Sequence, residues 1–164
     1  MGTIRNIAVG LPVRGGHVLL SEGFDRVRQL RFHRAVGGGI EFGELAVEAL
    51  HREFREELDV AIDSAEPLGV LENRFAFEGT PGHEVVHVFA VRSAALDAVP
   101  LDAELVVLDE GSPVRWVPLD TNVPVFPPGV LDLLPQRGRE ARRTVPTAAV
   151  ASPKPVTPTS MPST

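Results

Sequence analysis

Gly38-Gly39-Ile40-Glu41-Phe42-Gly43-Glu44-Leu45-Ala46-Val47-Glu48-Ala49-Leu50-His51-Arg52-Glu53-Phe54-Arg55-Glu56-Glu57-Leu58-Asp59-Val60 is the stretch on which the reading of the whole chain turns. From Leu45 to Leu58 its apolar residues follow a helical period. On a 100° wheel Leu50, Phe54 and Leu58 lie within about 60° of Val47, which predicts a helix with that stripe turned to the core. Glu53, Glu56 and Glu57 fall on a neighbouring face, shared with the small residues Ala46 and Ala49. Three acids at this spacing repel one another, at a cost of a few tenths of a kcal/mol per pair. Arg52 relieves part of this, with Glu48 and Glu56 four residues to either side. A bare Glu-x-x-Glu-Glu is most often a solvated helix face. The other reading is convergence on a hard cation, because oxygen-only ligands suit Mg²⁺ or Mn²⁺.

The residues around the helix decide between the two. Gly38 is followed after five residues by Glu44, and Glu44 after seven by Arg52-Glu53-Phe54-Arg55-Glu56-Glu57-Leu58-Asp59-Val60. This resembles the box that defines the Nudix family: Gly, five residues, Glu, seven residues, Arg-Glu-bulky apolar-x-Glu-Glu-x-Gly-bulky apolar. Eight of the nine specified positions agree, a coincidence on the order of one in a million at average residue frequencies. The departure is Asp59 in place of the last glycine. A left-handed helix cap is expected there, which Asp tolerates better than most residues. Three flanking runs extend the resemblance over roughly residues 4–135: Phe32 to Glu44, Glu72-Asn73-Arg74-Phe75 with Gly82-His83-Glu84-Val85, and Arg115-Trp116-Val117-Pro118.

The resemblance implies an α/β fold, a Nudix-type α/β/α sandwich with a mixed, largely antiparallel sheet. It also implies a pyrophosphohydrolase that uses Mg²⁺ (or Mn²⁺) to cleave a diphosphate bond in a nucleoside diphosphate-linked substrate. By motif position it makes Glu56 and Glu57 metal ligands, with the Gly38 carbonyl as an extra one. Glu53 is a metal ligand or the general base, roles on which relatives differ; Arg52 orients the carboxylates, and Glu44 supports Arg52 and the loop. Arg34 and Glu84 are candidates to meet the substrate, Glu84 as a distal ligand. Glu41 is a weaker candidate of the same kind, and Asp109 or Glu110 stands where some relatives place a catalytic loop acid. The run Gly37-Gly38-Gly39 lacks the following Gly-Lys-Ser/Thr of a P-loop. The five histidines show no metal-ligand spacing. Two rivals remain in view: a nucleotide-sensing domain without turnover, which a degenerate box would mark, and isoprenoid diphosphate isomerase chemistry, which the absence of cysteine disfavours.

Outside the box, Ile4–Leu11 and His17–Leu20 read as strands joined at Arg14-Gly15-Gly16, and residues 30–36 as a third. Val70–Phe77 and Glu84–Arg92 read as a pair joined across Gly79-Thr80-Pro81-Gly82, Val114–Val117 as a further strand, and Gly129–Leu134 as a short final helix. From about Gln136 the chain is rich in Pro, Thr, Ser and Ala, so residues 136–164 are expected to be a disordered tail after a hydrolase domain spanning 1–135.

The chain has 164 residues and no cysteine, which excludes disulfides and thiolate chemistry. No apolar run approaches the roughly 18 residues that would span a bilayer. The N-terminus lacks the layout of a secretory signal, and a cytoplasmic location is expected. Net charge is −6 overall. The tail holds Arg137, Arg139, Arg142, Arg143 and Lys154 against Glu140, a net +4, so residues 1–135 carry −10. An acidic body argues against a polymeric nucleic acid as partner and for a small-molecule, nucleotide-like substrate brought in with a cation. A homodimer is compatible with everything above.

Overall fold

The computed structural model describes residues 2–108 and 111–135. The expectations for Asp109, Glu110 and the 136–164 tail therefore lie outside the described residues. Eight strands form a mixed sheet: β1 (Arg5–Arg14), β2 (His17–Asp25), β3 (Leu30–Gly39), β4 (Ser64–Phe77), β5 (Thr80–Arg92), β6 (Glu104–Val106), β7 (Pro113–Pro118) and β8 (Val125–Phe126). Their order is β4-β5-β1-β3-β2-β7-β6, with β8 paired to β3. Only β1–β5 and β3–β8 are parallel. The helices are α1 (Ala46–Leu58) and the short α2 (Ala94–Asp97). The expected final helix is a single 3₁₀ turn, Val130–Leu133. Among the described residues no helix is long and apolar enough to cross a membrane.

Two apolar clusters flank the sheet, and strand alternation explains their membership. Ala8, Val36, Phe89 and Val91 pack with Ala49, Leu50 and Phe54 of α1. Residues one position along, Ile7, Val9, Val86 and Val88, pack on the other face beneath Val130. Helix α1 lies so close to β1 that a Cβ on Gly10 would come within 2.8 Å of the Phe54 ring.

The α1 core stripe differs from the wheel reading. Leu50 and Phe54 are fully buried, but so is Ala49, and Glu57 is only 8% exposed, while Val47 and Leu58 are half-buried. The buried face is turned toward the acids. Small Ala49 lets the helix settle onto the sheet on that side, and Glu53 and Glu57 stand at the helix–sheet seam while Glu56 stays exposed.

One loop also departs from expectation. The β4–β5 connection is the two-residue turn Glu78-Gly79, both at positive φ, and Thr80, Pro81 and Gly82 already belong to β5. Helix α2 and strands β6 and β8, at two to four residues each, are too short to leave a periodic signature.

Candidate active site

Helix α1 starts without a side-chain N-cap. Instead, the Glu48 carboxylate accepts the Leu45 N–H at 2.8 Å, which satisfies one of the free donors of the first turn. At the other end Asp59 is left-handed (φ 54°, ψ 38°), as expected for a residue in the glycine's place. The Asp59 N–H reaches Arg55 O and the Val60 N–H reaches Phe54 O, which closes the helix.

Arg52 is the hub between these ends. Its Nε and one terminal nitrogen donate to the two Glu44 oxygens at 3.0 and 2.9 Å, a bidentate fork. The same terminal nitrogen reaches the Gly39 carbonyl at 2.8 Å. The other donates to Glu53 at 2.8 Å and to Glu56 at 3.2 Å. Glu44 also accepts the Glu41 N–H at 3.0 Å. One guanidinium thus ties loop, strand β3 and two box carboxylates together, a geometry that lysine's single point charge could not reproduce. The bond from Arg52, seconded by the Glu41 N–H, holds the Glu44 carboxyl below its ordinary range. In return Glu44 above all raises the Arg52 pKa, burial next opposes it, and Glu53 and Glu56 add to the rise.

Strand β3 supplies the opposite wall. A Cβ on Gly38 would sit 2.4 Å from the Glu53 carboxyl carbon, so the absence of a side chain there is what admits the carboxylate. Gly37 is required for another reason: its φ is 142°, and a Cβ would lie 2.1 Å from the Ala8 carbonyl oxygen. Gly38→Ala is therefore expected to push Glu53 off Arg52 and lower turnover roughly 10- to 100-fold, as for loss of a group that orients a ligand. Wild-type turnover in a Gly38→Ala protein would contradict this assignment.

Glu53, Glu56 and Glu57 share one side of α1 within two turns, joined by Gly38 below and Arg52 beside them. Among the described residues no three carboxylates or imidazoles close on a single point. Magnesium keeps waters and takes substrate phosphate oxygens alongside one or two carboxylates, so a cluster of three converging side chains is not required. The donor set, all oxygen and strongly anionic, is of the right chemical kind.

Arg34 lies four residues before Gly38 on the same face of β3, at about 3.3 Å per residue some 13 Å away. Its Nε donates to Ser21 Oγ at 3.3 Å, and Ser21 Oγ donates to the Arg34 carbonyl, so a buried serine that no sequence pattern marks steadies this arginine. Glu84 is not brought to the acids. It shares its face with Val86 and Val88, turned away from α1, and pairs with Arg5 at 3.5 Å. Glu41 contributes its backbone N–H.

The NUDIX domain model matches residues 4–136, four-fifths of the chain. The chain belongs to the Nudix family. It is a Nudix-type hydrolase, and members of this family generally hydrolyse nucleoside diphosphate-linked substrates with a divalent metal. The fold agrees with solved structures. The MutT NUDIX hydrolase from Burkholderia pseudomallei is 21% identical with a TM-score of 0.59, over 81% of this chain and 99% of its own. The E. coli ORF135 protein is 20% identical with a TM-score of 0.58, over 87% and 96%. The mutator MutT protein from Bacillus halodurans is 20% identical with a TM-score of 0.53, over 79% and 80%. No curated protein matches the chain closely enough to count as a relative.

His33 is a separate matter. Its Nδ1 is buried without a hydrogen-bond partner, and burial lowers its pKa below the ordinary 6.5, against the opposing pull of Glu22 and the Ser21 backbone. The unfolded chain then binds the proton first as pH falls. The stability His33 contributes is complete above pH 6.5 and is lost as pH drops through the lowered value. Thermal melts of wild type and His33→Leu should diverge in slope below pH 6.5, with the wild type losing more. Parallel curves would show that His33 does not titrate with folding.

Proposed function

We propose that this Nudix hydrolase cleaves the diphosphate bond of a nucleoside diphosphate-linked substrate by attack of water at phosphorus, with Mg²⁺ or Mn²⁺ as cofactor. The carrying observation is the Glu53 carboxylate, seated over Gly38 and held at 2.8 Å by Arg52, beside Glu56 and Glu57 on the same helix. Glu53, Glu56, Glu57 and the Gly38 carbonyl would hold the cation. Bound there, it would cancel charge on the diphosphate and acidify the attacking water.

The protein's own groups do the rest. Glu53 takes the proton of the water whose oxygen forms the new P–O bond, and the bridging P–O bond breaks with its electron pair leaving on the departing phosphate. Arg52 fixes the direction of Glu53 and Glu56, and Glu44 fixes Arg52. Arg34, projecting from the same face of β3, meets a phosphate oxygen of the substrate. For Glu84 the support is weaker, since its distance from the acids restricts it to the substrate's far end.

A panel of nucleoside triphosphates, nucleotide sugars and dinucleoside polyphosphates, assayed by release of phosphate or phosphomonoester products, is the direct test. Activity on at least one class is expected with Mg²⁺ or Mn²⁺, abolished by excess chelator and restored by the metal. Hydrolysis undiminished in chelator would sink the mechanism.

A further inference from the structure

Strand β4 ends the sheet, and among the described residues its outer edge has no strand partner. The edge is long, and a flat unpaired edge is a template for another strand. We propose that two copies of this chain associate through it, β4 against β4 antiparallel about a two-fold axis at Asn73. This inference is independent of the catalytic reading.

The backbone phase fixes which groups are available. Glu78 and Gly79, at φ 50° and 77°, form a two-residue turn of the mirror-image type, closed by the pair Phe77 and Thr80. In such a hairpin the closing pair exchanges hydrogen bonds, and inward and outward peptide groups then alternate along the strand. Pairing to β5 runs without irregularity from Phe77 to Gly69. Val70, Glu72, Arg74 and Ala76 therefore present their N–H and C=O groups to the open edge. A cleft of about 540 Å³ opens beside residues 72–76, where Arg28 and Pro128 form its other side.

The side chains then select one register. Glu72 and Arg74 are exposed and would ordinarily discourage strand addition. With the axis at Asn73, Glu72 faces Arg74 of the partner subunit, and Arg74 faces Glu72 of the partner subunit. Val70, 57% exposed, faces Ala76, and on the other face Leu71 meets Phe75. Moving the axis one residue either way, to Glu72 or Arg74, sets like charges directly opposite, which destabilises a pair. The bulge at Pro67–Gly69 ends the pairing segment. The contact is isologous and closed, so it stops at two copies.

Sedimentation of the full chain tests this. The wild type should run as a dimer in a concentration-dependent equilibrium. Glu72→Arg and Arg74→Glu alone should each weaken self-association by about tenfold or more, because both cross-strand pairs change from opposite to like charge. An equal mixture of the two variants should recover the dimer, since positions 72 and 74 would again carry opposite charges across the axis. The double variant, which exchanges the two charges, should recover it for the same reason. Ala76→Pro, which removes an outward N–H and no intramolecular bond, should also dissociate it, and melting curves confirm that each variant folds. A wild type that stays monomeric at every concentration overturns the proposal. So do single reversals that leave the dimer intact, or a mixture that fails to re-form it.

Discussion

Glu57→Gln should lower turnover by more than about 100-fold, beyond the 10- to 100-fold typical of groups that only orient a ligand. The melting temperature should hardly change. Glu57 is 8% exposed, on the same side of α1 as Glu53 and Glu56, and its backbone carbonyl accepts the Leu108 N–H. The substitution keeps the side chain's shape and removes one charge from a face where like charges stand three and four residues apart. What it takes away is anionic oxygen for a divalent cation, which an amide replaces poorly. The same variant should need more Mg²⁺ to reach half-maximal rate, a shift that a purely structural role would not produce. Unchanged turnover and unchanged metal dependence together would remove Glu57 from the ligand set. Arg52→Lys is expected to fall between this and wild type. It keeps the charge but loses the fork to Glu44 and the bond to Gly39 O, so Glu53 and Glu56 lose direction more than they lose neutralisation.

The family, the mixed sheet and the box helix were legible in the sequence because their signals are local. The spacing of Gly38, Glu44 and Arg52 is a linear pattern, and α1 is long enough for its period to show. The orientation of α1 was legible only in part. A wheel weighted by bulky apolar residues points to Val47 and Leu58, whereas the helix seats itself where Ala49 permits close approach, and that depends on Gly10 and Gly38 in distant strands. The Arg52 hub divides in the same way. Its tie to Glu44 is carried by the motif, but its tie to the Gly39 carbonyl leaves no side-chain trace. Nor does the Ser21–Arg34 contact, made by cross-strand partners thirteen positions apart. Glu84 shows the opposite failure. Its place after a turn suggested a ligand, but strand parity puts it on the face away from α1.

Phe54→Ala should cost the largest share of stability, about 3–5 kcal/mol, against a total that for a domain of this size is roughly 5–15 kcal/mol. Phe54 is fully buried and heads the large side chains of the core, packed between Leu50, Val91 and the backbone at Gly10. The close approach of α1 to β1 leaves little room for collapse into the cavity, which places the loss toward the upper end of that range. Denaturant titration should show a lower midpoint with an unchanged slope, the mark of lost stability without a changed unfolded state. Turnover per folded molecule should fall far less than in Glu57→Gln, because Arg52 binds Glu44 and Glu53 from the other side of the helix. The pair of variants thus separates what the helix holds from what holds the helix. A Phe54→Ala protein of wild-type stability would show that α1 is anchored elsewhere. One that is folded but as inactive as Glu57→Gln would show that the Arg52 network cannot hold the carboxylates without the core contact beneath it.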